Sequence, residues 1–372
     1  KNEAEKSEVL NDFKIRTFYN NIDLESFKHL SKEKAKNSLK ITTKKKILLY
    51  GASNPQSKRK GWEIFINTLK MLDKSKYYLL IFGNFWSNKI LDEIGIEYKS
   101  LGFVYDKETL NSVYSSADVF ISQSPGPVGY LGDKDLLATL PTSITSQTMG
   151  SAAKTWVGIS ARQRVLVYNT NTVDPTTLPA SVVDMSKPEW ASRAAISAKN
   201  SSFQDWLTLL RLEIGDTAAE GWLSDFVANG GKWDYGNNTS IVQATGAGEQ
   251  EMGLVNHYYL AKVKAGDPTL KAENHTFADG DIGGAILLAT ASIMKSSDNS
   301  TNAQALVEYL LSNAGQKYFS GATYEYLLTN NARAIDGKLD AFLNKVKIVN
   351  FDKLGSELAE TLALIKRSGI DL

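Results

Sequence analysis

Gly253-Leu254-Val255-Asn256-His257-Tyr258-Tyr259-Leu260 is a short apolar run that ends in an asparagine and then presents two consecutive tyrosines. The lead-in reads as a buried strand. Residues 257–265 hold good helix formers and stop at Gly266, which makes Asn256 the expected N-cap. Both phenols then fall in the first turn of a helix, where free backbone N–H groups and the positive end of the dipole favour anions. That setting lowers the cost of a phenolate. A free tyrosine titrates near ~10, but a highly charged cation displaces the proton at neutral pH. Oxygen anions suit hard cations, so Fe(III) is a better candidate than zinc or copper. The alternative is structural: two adjacent aromatics that cap a core or line an interface.

With 372 residues the chain can bury a large core, and the usual prior gives two or three domains. Lys plus Arg, 42, almost balance Asp plus Glu, 41, for a formal charge of +1. No electrostatic case for nucleic acid or an anionic membrane follows, and a small molecule or ion fits better as a partner. Cysteine is absent, which removes disulfides, thiolate metal sites and cysteine nucleophiles together. Only His29, His257 and His275 exist, so a multi-histidine metal site is implausible. No apolar run is long enough to cross a bilayer, and Lys1 to Lys6 are charged with no apolar signal core. The expected location is periplasmic or extracellular with a leader already removed, or cytoplasmic if the first segment is native.

From Lys46 onward strand and helix patterns alternate. Residues 47–50, 78–82, 101–104 and 119–122 read as strands, and 62–69 and 109–115 as helices. Alternation at this spacing implies right-handed crossovers and a parallel sheet covered on both faces. Beyond Ser122 lysines thin out while Gly, Ala, Ser and Thr rise. There the pattern predicts strands at 165–168 and 286–289, helices at 203–212 and 303–311, and a last helix through Leu354, Leu358, Leu362 and Ile365.

Three helix starts open with the same chemistry. Asn200-Ser201-Ser202 precedes the helix at 203–212, with Ser201 and Gln204 fitting a capping box. Asn237-Asn238-Thr239 precedes a shorter helix ending near Gly246 and Gly248, and Asn256 precedes the tyrosines. If they converge, each presents unpaired N–H groups to a common anion beside the metal. Each alone is also simply a good cap.

From Ala117-Asp118-Val119-Phe120 to the C-terminus the chain resembles the periplasmic ferric-ion-binding proteins, the iron-carrying components of ABC importers. The matching segments are Trp156 to Ser160 with Arg162 to Asn169, Pro188-Glu189-Trp190, Asn200 to Phe203, Gly230-Gly231-Lys232, Asn237-Asn238-Thr239, Leu254 to Tyr259 and Tyr324-Glu325-Tyr326. The resemblance implies metal ligands at Tyr258 and Tyr259. It implies contacts to a synergistic carbonate or phosphate at Ser201, Ser202, Asn238 and Asn256. It also implies a non-enzymatic, monomeric protein that delivers Fe(III) to a membrane permease without itself inserting into the membrane. The family fold is two α/β lobes of the class II periplasmic-binding-protein architecture, joined by hinge strands near Leu166 to Asn169 and Ile286 to Ala289. On this reading 169–286 form the second lobe with the tyrosine site. The first lobe combines 1–122 with 123–168 and 287–372, and both lobes carry parallel sheets. Asn54 and Gln123 stand where some members carry a His and a Glu ligand, so the first lobe is expected to supply no charged ligand.

Residues 11–122 are similar instead to the donor-binding domain of retaining GT-B glycosyltransferases. Phe18 to Asp23, Leu49 to Ser53 with Lys58-Arg59-Lys60-Gly61, and Ser112 to Ser122 carry that likeness, which implies a diphosphate contact at Lys60. The family's acceptor domain and its paired glutamates have no counterpart. The two resemblances meet at Ala117 to Ser122. The expectation is therefore a chimera whose Rossmann-like first segment rebuilds part of the first lobe, with the sheet continuous through 119–122. A nucleotide-sugar-binding remnant and an inactive scaffold are the alternatives.

Overall fold

The structure is a computed structural model and describes residues 30–51, 65–66, 69–70, 72–83, 89–102, 104, 106–122, 125–148, 153–329 and 354–371. Its first described part runs α1 (Lys32–Ser38), β1 (Lys46–Gly51), β2 (Tyr77–Phe82), α2 (Lys89–Ile94), β3 (Glu97–Ser100) and α3 (Lys107–Ser115). The three strands form a parallel sheet in the order β1-β2-β3, with Leu79, Leu80 and Ile81 of β2 wholly buried. Central parallel strands carry apolar side chains on both faces, as Tyr77–Phe82 does. The third strand lies at Glu97–Ser100, ahead of the 101–104 run that the apolar pattern predicts. Leu101 donates its N–H to Ile81 just past the strand, and Gly102 turns away with φ of 65°.

The chain continues through β4 (Val119–Ser122), α4 (Pro125–Asp133), α5 (Thr142–Thr145), β5 (Trp156–Asn169), α6 (Pro188–Ala191) and β6 (Ala194–Ala195). Then come α7 (Ser201–Ile214), α8 (Asp216–Ala228), α9 (Asn238–Ala247), β7 (Met252–Asn256), α10 (Tyr258–Gly266), β8 (Ala272–His275) and β9 (Ile286–Ile293). Helices α11 (Ser300–Leu311) and α12 (Asn313–Tyr318), a π-turn over Phe319–Thr323 and α13 (Leu354–Arg367) complete it.

The second sheet has the order β4-β9-β5-β7-β6, with β8 also on β5. Two expectations are corrected here. The β1-β2-β3 sheet does not continue through 119–122, because β4 takes its ladder from β9, antiparallel from Val119 opposite Ile293 to Ser122 opposite Thr290. Nor is the second sheet parallel: β5 runs antiparallel to β9, β7 and β8, and only β6 with β7 is parallel. The physical reason is that β5 and β9 are long return strands rather than links in βαβ units. β5 is 14 residues, of which sequence pattern marks only the last few, because all but one of its positions are buried and no alternation survives.

Along β5 the partner changes. Trp156 to Gln163 pair with β9, whereas Arg164 to Tyr168 pair with β7. The switch at Gln163 and Arg164 precedes the expected hinge at 166–169.

Helix α7 carries the largest buried aromatic group. Phe203, Trp206, Trp222 and Phe226 follow one another with ring centroids 5.5 to 5.8 Å apart, and both indole N–H groups donate to backbone carbonyls, of Ile282 and Val182, at 2.9 Å. Helix α13 packs on α4 and α7. The buried Arg211 of α7 donates to the Glu357 carbonyl and to Thr361 Oγ1 at 2.9 Å and pairs with Asp216. At the other end, buried Lys32 of α1 reaches Asp118, and Asp298 at 2.7 Å, tying the first part of the chain to the β4 and β9 ends.

Gly253 explains why β7 begins as it does. A Cβ there would lie 2.3 Å from Ile241 Cγ2 of α9 and 3.1 Å from the Ala195 carbonyl of β6. The helix thus sits directly on the strand. Gly253→Ala is expected to lower unfolding free energy by about 1–3 kcal/mol through this overpacking, read from urea denaturation, while Gly266→Ala, which meets nothing within 4 Å, changes it far less.

Candidate metal and anion site

Strand β7 ends at Asn256 and α10 starts at Tyr258, so the two phenols occupy its first turn as expected. The cap differs. His257 is the N-cap, in helical conformation, and Asn256 remains the last residue of the strand. Its side chain, 1 % exposed, is used sideways: Oδ1 accepts from Arg164 Nη1 at 3.2 Å and Nδ2 donates to Ser202 Oγ at 3.0 Å. His257 is equally committed. Its Nδ1 accepts the Gln163 N–H at 3.1 Å and its Nε2 donates to the Tyr324 carbonyl at 2.9 Å, which fixes the tautomer. Burial holds its pKa down at about 4, so the ring is neutral. It stacks on Tyr326 with centroids 4.0 Å apart.

The Tyr258 and Tyr259 rings stack at 4.3 Å, with Tyr259 buried. Burial raises the Tyr258 pKa well above the usual phenol value; Tyr259 and Glu325 push the same way, and Arg162 opposes them. The expectation that the helix start eases phenolate formation is therefore corrected. Desolvation outweighs the dipole, and a cation must supply the driving force for proton loss.

Helix α7 is capped by Asn200, whose Oδ1 accepts the Ser202 N–H at 3.0 Å. Ser201 makes no capping box: it is the exposed first residue of the helix, and Gln204 donates instead to the Ala198 carbonyl. Ser202 is buried and meets both Asn256 and Arg162, whose Nε lies 3.4 Å from its Oγ. Two of the three helix starts thus converge through Ser202 and Asn256. The third, α9, is capped by Asn237 and packs on β7 and α10. Its Asn238 is fully buried, and neither side-chain Oδ1 nor Nδ2 has a hydrogen-bond partner. A buried amide without partners costs on the order of 1–3 kcal/mol for each unmet group, so a ligand that satisfies it contributes correspondingly to binding.

Sequence reasoning missed the basic floor of this site. Arg162 and Arg164, two apart on β5, are 5 % and 0 % exposed. Arg164 donates to the Leu254 carbonyl at 2.9 Å, lies 5.8 Å from the centroids of Phe203 and Trp206, and leaves its buried Nε unpartnered. Burial lowers its pKa to about 9. Among the described residues no carboxylate forms an ion pair with either arginine. The acids nearby are Glu325, which accepts from Ser160 Oγ at 2.6 Å, and Asp205, whose pKa burial raises to about 7 against the pull of Arg162. Two arginines two apart, within a run otherwise rich in apolar residues, are the signal that was available. Asn54, Gln123 and Lys60 lie outside the described residues, and no cluster of three or more His, Cys, Asp or Glu side chains stands among the described ones.

The two phenols thus lie within electrostatic reach of the buried Arg162 and Arg164 guanidinium groups, on an α/β frame. Residues 115–354 match the family model described as bacterial extracellular solute-binding protein, and the chain belongs to that family, which binds solutes and is not a family of enzymes. The chain is 29 % identical over 223 residues to the Fe(3+)-binding periplasmic protein of Serratia marcescens, covering 59 % of this chain and 63 % of that one. It is 31 % identical over 222 residues to the major ferric iron-binding protein of Neisseria meningitidis serogroup A, covering 58 % and 66 %. These matches thus span just under two thirds of the curated relatives. The fold matches iron-bound HitA from Pseudomonas aeruginosa at 27 % identity and a TM-score of 0.68, over 87 % of this chain and all of that one. It also matches apo FutA2 from Synechocystis PCC6803 at 20 % identity and a TM-score of 0.63, a likeness of fold alone. A match over 87 % is more than the stretch from Ala117 onward can supply, so part of the preceding chain shares that fold. The glycosyltransferase-derived first lobe and the chimera gain no support from these matches.

The raised pKa of Asp205 has a measurable consequence. Below about 4 the carboxyl is protonated in both states; as pH rises to about 7 the unfolded chain ionises first, so folding stability falls over that window and the deficit persists above it. Asp205→Asn is expected to remove this decline, gaining up to a few kcal/mol at pH 8 relative to pH 4, checked by urea unfolding of both proteins across that range.

Proposed function

We propose that this protein binds Fe(III) together with a synergistic anion and serves as the solute-binding component of an ABC iron importer. The observation that carries this reading is the Tyr258–Tyr259 pair at the start of α10, set over Arg162 and Arg164. Fe(III) displaces the phenolic protons that burial otherwise retains, and the resulting phenolates place two hard oxygen donors on the ion. They neutralise only part of its charge. An anion that bridges metal and protein supplies the rest, and the guanidinium groups favour its negative charge.

Ser202, Asn238 and Asn256 are the contacts for carbonate or phosphate; Ser201 offers its backbone N–H at the start of α7. Asn238 fits because its buried amide has both a donor and an acceptor to satisfy. Relatives agree in kind: two are ferric-binding proteins, and a structure from Trichodesmium, 23 % identical, holds iron and citrate. The partner on this reading is the importer's membrane permease, the working state a monomer, and the location periplasmic or extracellular.

The two lobes meet where β5 changes partner. One comprises the chain up to Gln163 and from about 287 onward, and the other comprises Arg164 to about 286. Closure about that point would bring the first lobe over the tyrosines; the resemblance assigns its ligand positions to Asn54 and Gln123, which lie outside the described residues. Neither is charged, so iron retention depends on the anion.

Titration with ferric nitrilotriacetate in bicarbonate is expected to produce a visible phenolate-to-iron charge-transfer band. Tyr258→Phe with Tyr259→Phe should abolish it, and Asn238→Ala should weaken iron retention at least tenfold while leaving the band. A parent protein that stays colourless would sink the reading.

A further inference from the structure

The segment that carries Glu325 is held with unusual care. The π-turn at Phe319–Thr323 leads into Tyr324, which adopts a left-handed backbone (φ 60°, ψ 23°) although it is not glycine. Such a conformation costs on the order of 1 kcal/mol or more and persists only where the surroundings impose it. Here they do. The Tyr324 carbonyl accepts from His257 Nε2, Tyr326 exchanges both backbone hydrogen bonds with Ala161 at 2.8 and 3.0 Å, and the Tyr326 ring stacks on His257. Each contact is with β5 or with the residue just before the tyrosines. The result aims one carboxylate at the strand that bears both arginines, where Ser160 Oγ donates to Glu325 Oε2 at 2.6 Å.

The charges explain why a carboxylate belongs there. Arg162 and Arg164 bring two positive charges into a buried site, and burial raises the Asp205 pKa to about 7, so that carboxyl is only about half ionised at neutral pH. Without Glu325 the iron-free site would carry more than one unbalanced positive charge at neutral pH, an arrangement that attracts free anions by itself. Burial raises the Glu325 pKa, while Arg162 and the Ser160 hydrogen bond favour its ionised form, and Glu325 interacts electrostatically with both Arg162 and Tyr258. It therefore lowers the attraction for a lone anion and raises it for a cation.

We propose that Glu325 is a specificity-determining residue, held by Ser160, Ala161 and His257, whose charge offsets Arg162 so that the site takes an anion only in company with a trivalent cation. This rests on the ferric reading above. Glu325 acts through the field of the site, and Tyr258 and Tyr259 remain the metal ligands.

The test compares the parent with Glu325→Gln, which keeps the shape and loses the charge, and Glu325→Asp, which keeps the charge. Iron-free proteins are titrated calorimetrically with inorganic phosphate, and all three with ferric nitrilotriacetate in bicarbonate. Glu325→Gln is expected to bind phosphate at least tenfold more tightly and ferric ion at least tenfold more weakly, with the charge-transfer band at saturation unmoved; Glu325→Asp should follow the parent. Unchanged phosphate affinity in Glu325→Gln overturns the proposal, as does a shifted band, which would make Glu325 a ligand. If Glu325→Gln does not fold, an aspartate variant that binds phosphate like the parent supports the proposal, and one that binds it tenfold more tightly overturns it. A parent without any band fails the ferric reading itself, a result distinguishable from these.

Discussion

The burial of Arg164 is the constraint on which the rest depends. A guanidinium group with no accessible surface and, among the described residues, no carboxylate partner carries a large desolvation cost, which the hydrogen bonds it donates to Asn256 Oδ1 and the Leu254 carbonyl offset only in part. Phe203 and Trp206 present their ring faces to it, adding an electrostatic attraction that strengthens when water is excluded. Strand β5, strand β7 and helix α7 are thus fixed to one another around a charge. On the proposed reading, an anion bound beside that charge would relieve part of the remaining cost.

The same constraint orders the neighbouring groups. Asn256 cannot serve as a helix cap, since its amide already bridges Arg164 and Ser202. His257 takes the cap position but spends both ring nitrogens on Gln163 and Tyr324, joining β5, β7 and the 324–326 segment at the point where β5 changes partner. The Tyr258 and Tyr259 rings stack on each other, and His257 meets Tyr258 edge-on. On the proposed ferric reading, these buried, still protonated phenols give up their protons to the metal.

Helix starts were legible because capping is local chemistry: Asn200 and Asn237 cap α7 and α9, within a few residues of the predicted starts. The tyrosine pair was legible for the same reason, since an apolar run, a polar stop and a glycine end are all visible in one window. The length of β5 was not. Its side chains are buried on both faces and include Arg162, Gln163 and Arg164, so neither alternation nor hydrophobicity marks it as one strand. The parallel reading of the later sheet failed because strand direction depends on which strand returns beside which, and β9 follows β5 by more than a hundred residues.

What the sequence alone determined is the set of local commitments: two phenols at a helix start, capped helices bearing Asn and Ser, a chain without thiols, and the segments that mark a solute-binding family. Those follow from backbone geometry and side-chain chemistry over a few residues. Only the tertiary structure decided that Arg162, Arg164 and Glu325 stand beneath and beside the tyrosines, and that Asn238 is buried without a partner. The reason is physical. Burial, desolvation and field are properties of everything packed around a group, and residues far apart in the chain supply them here, as in the hydrogen bond from Ser160 to Glu325 with its separation of 165.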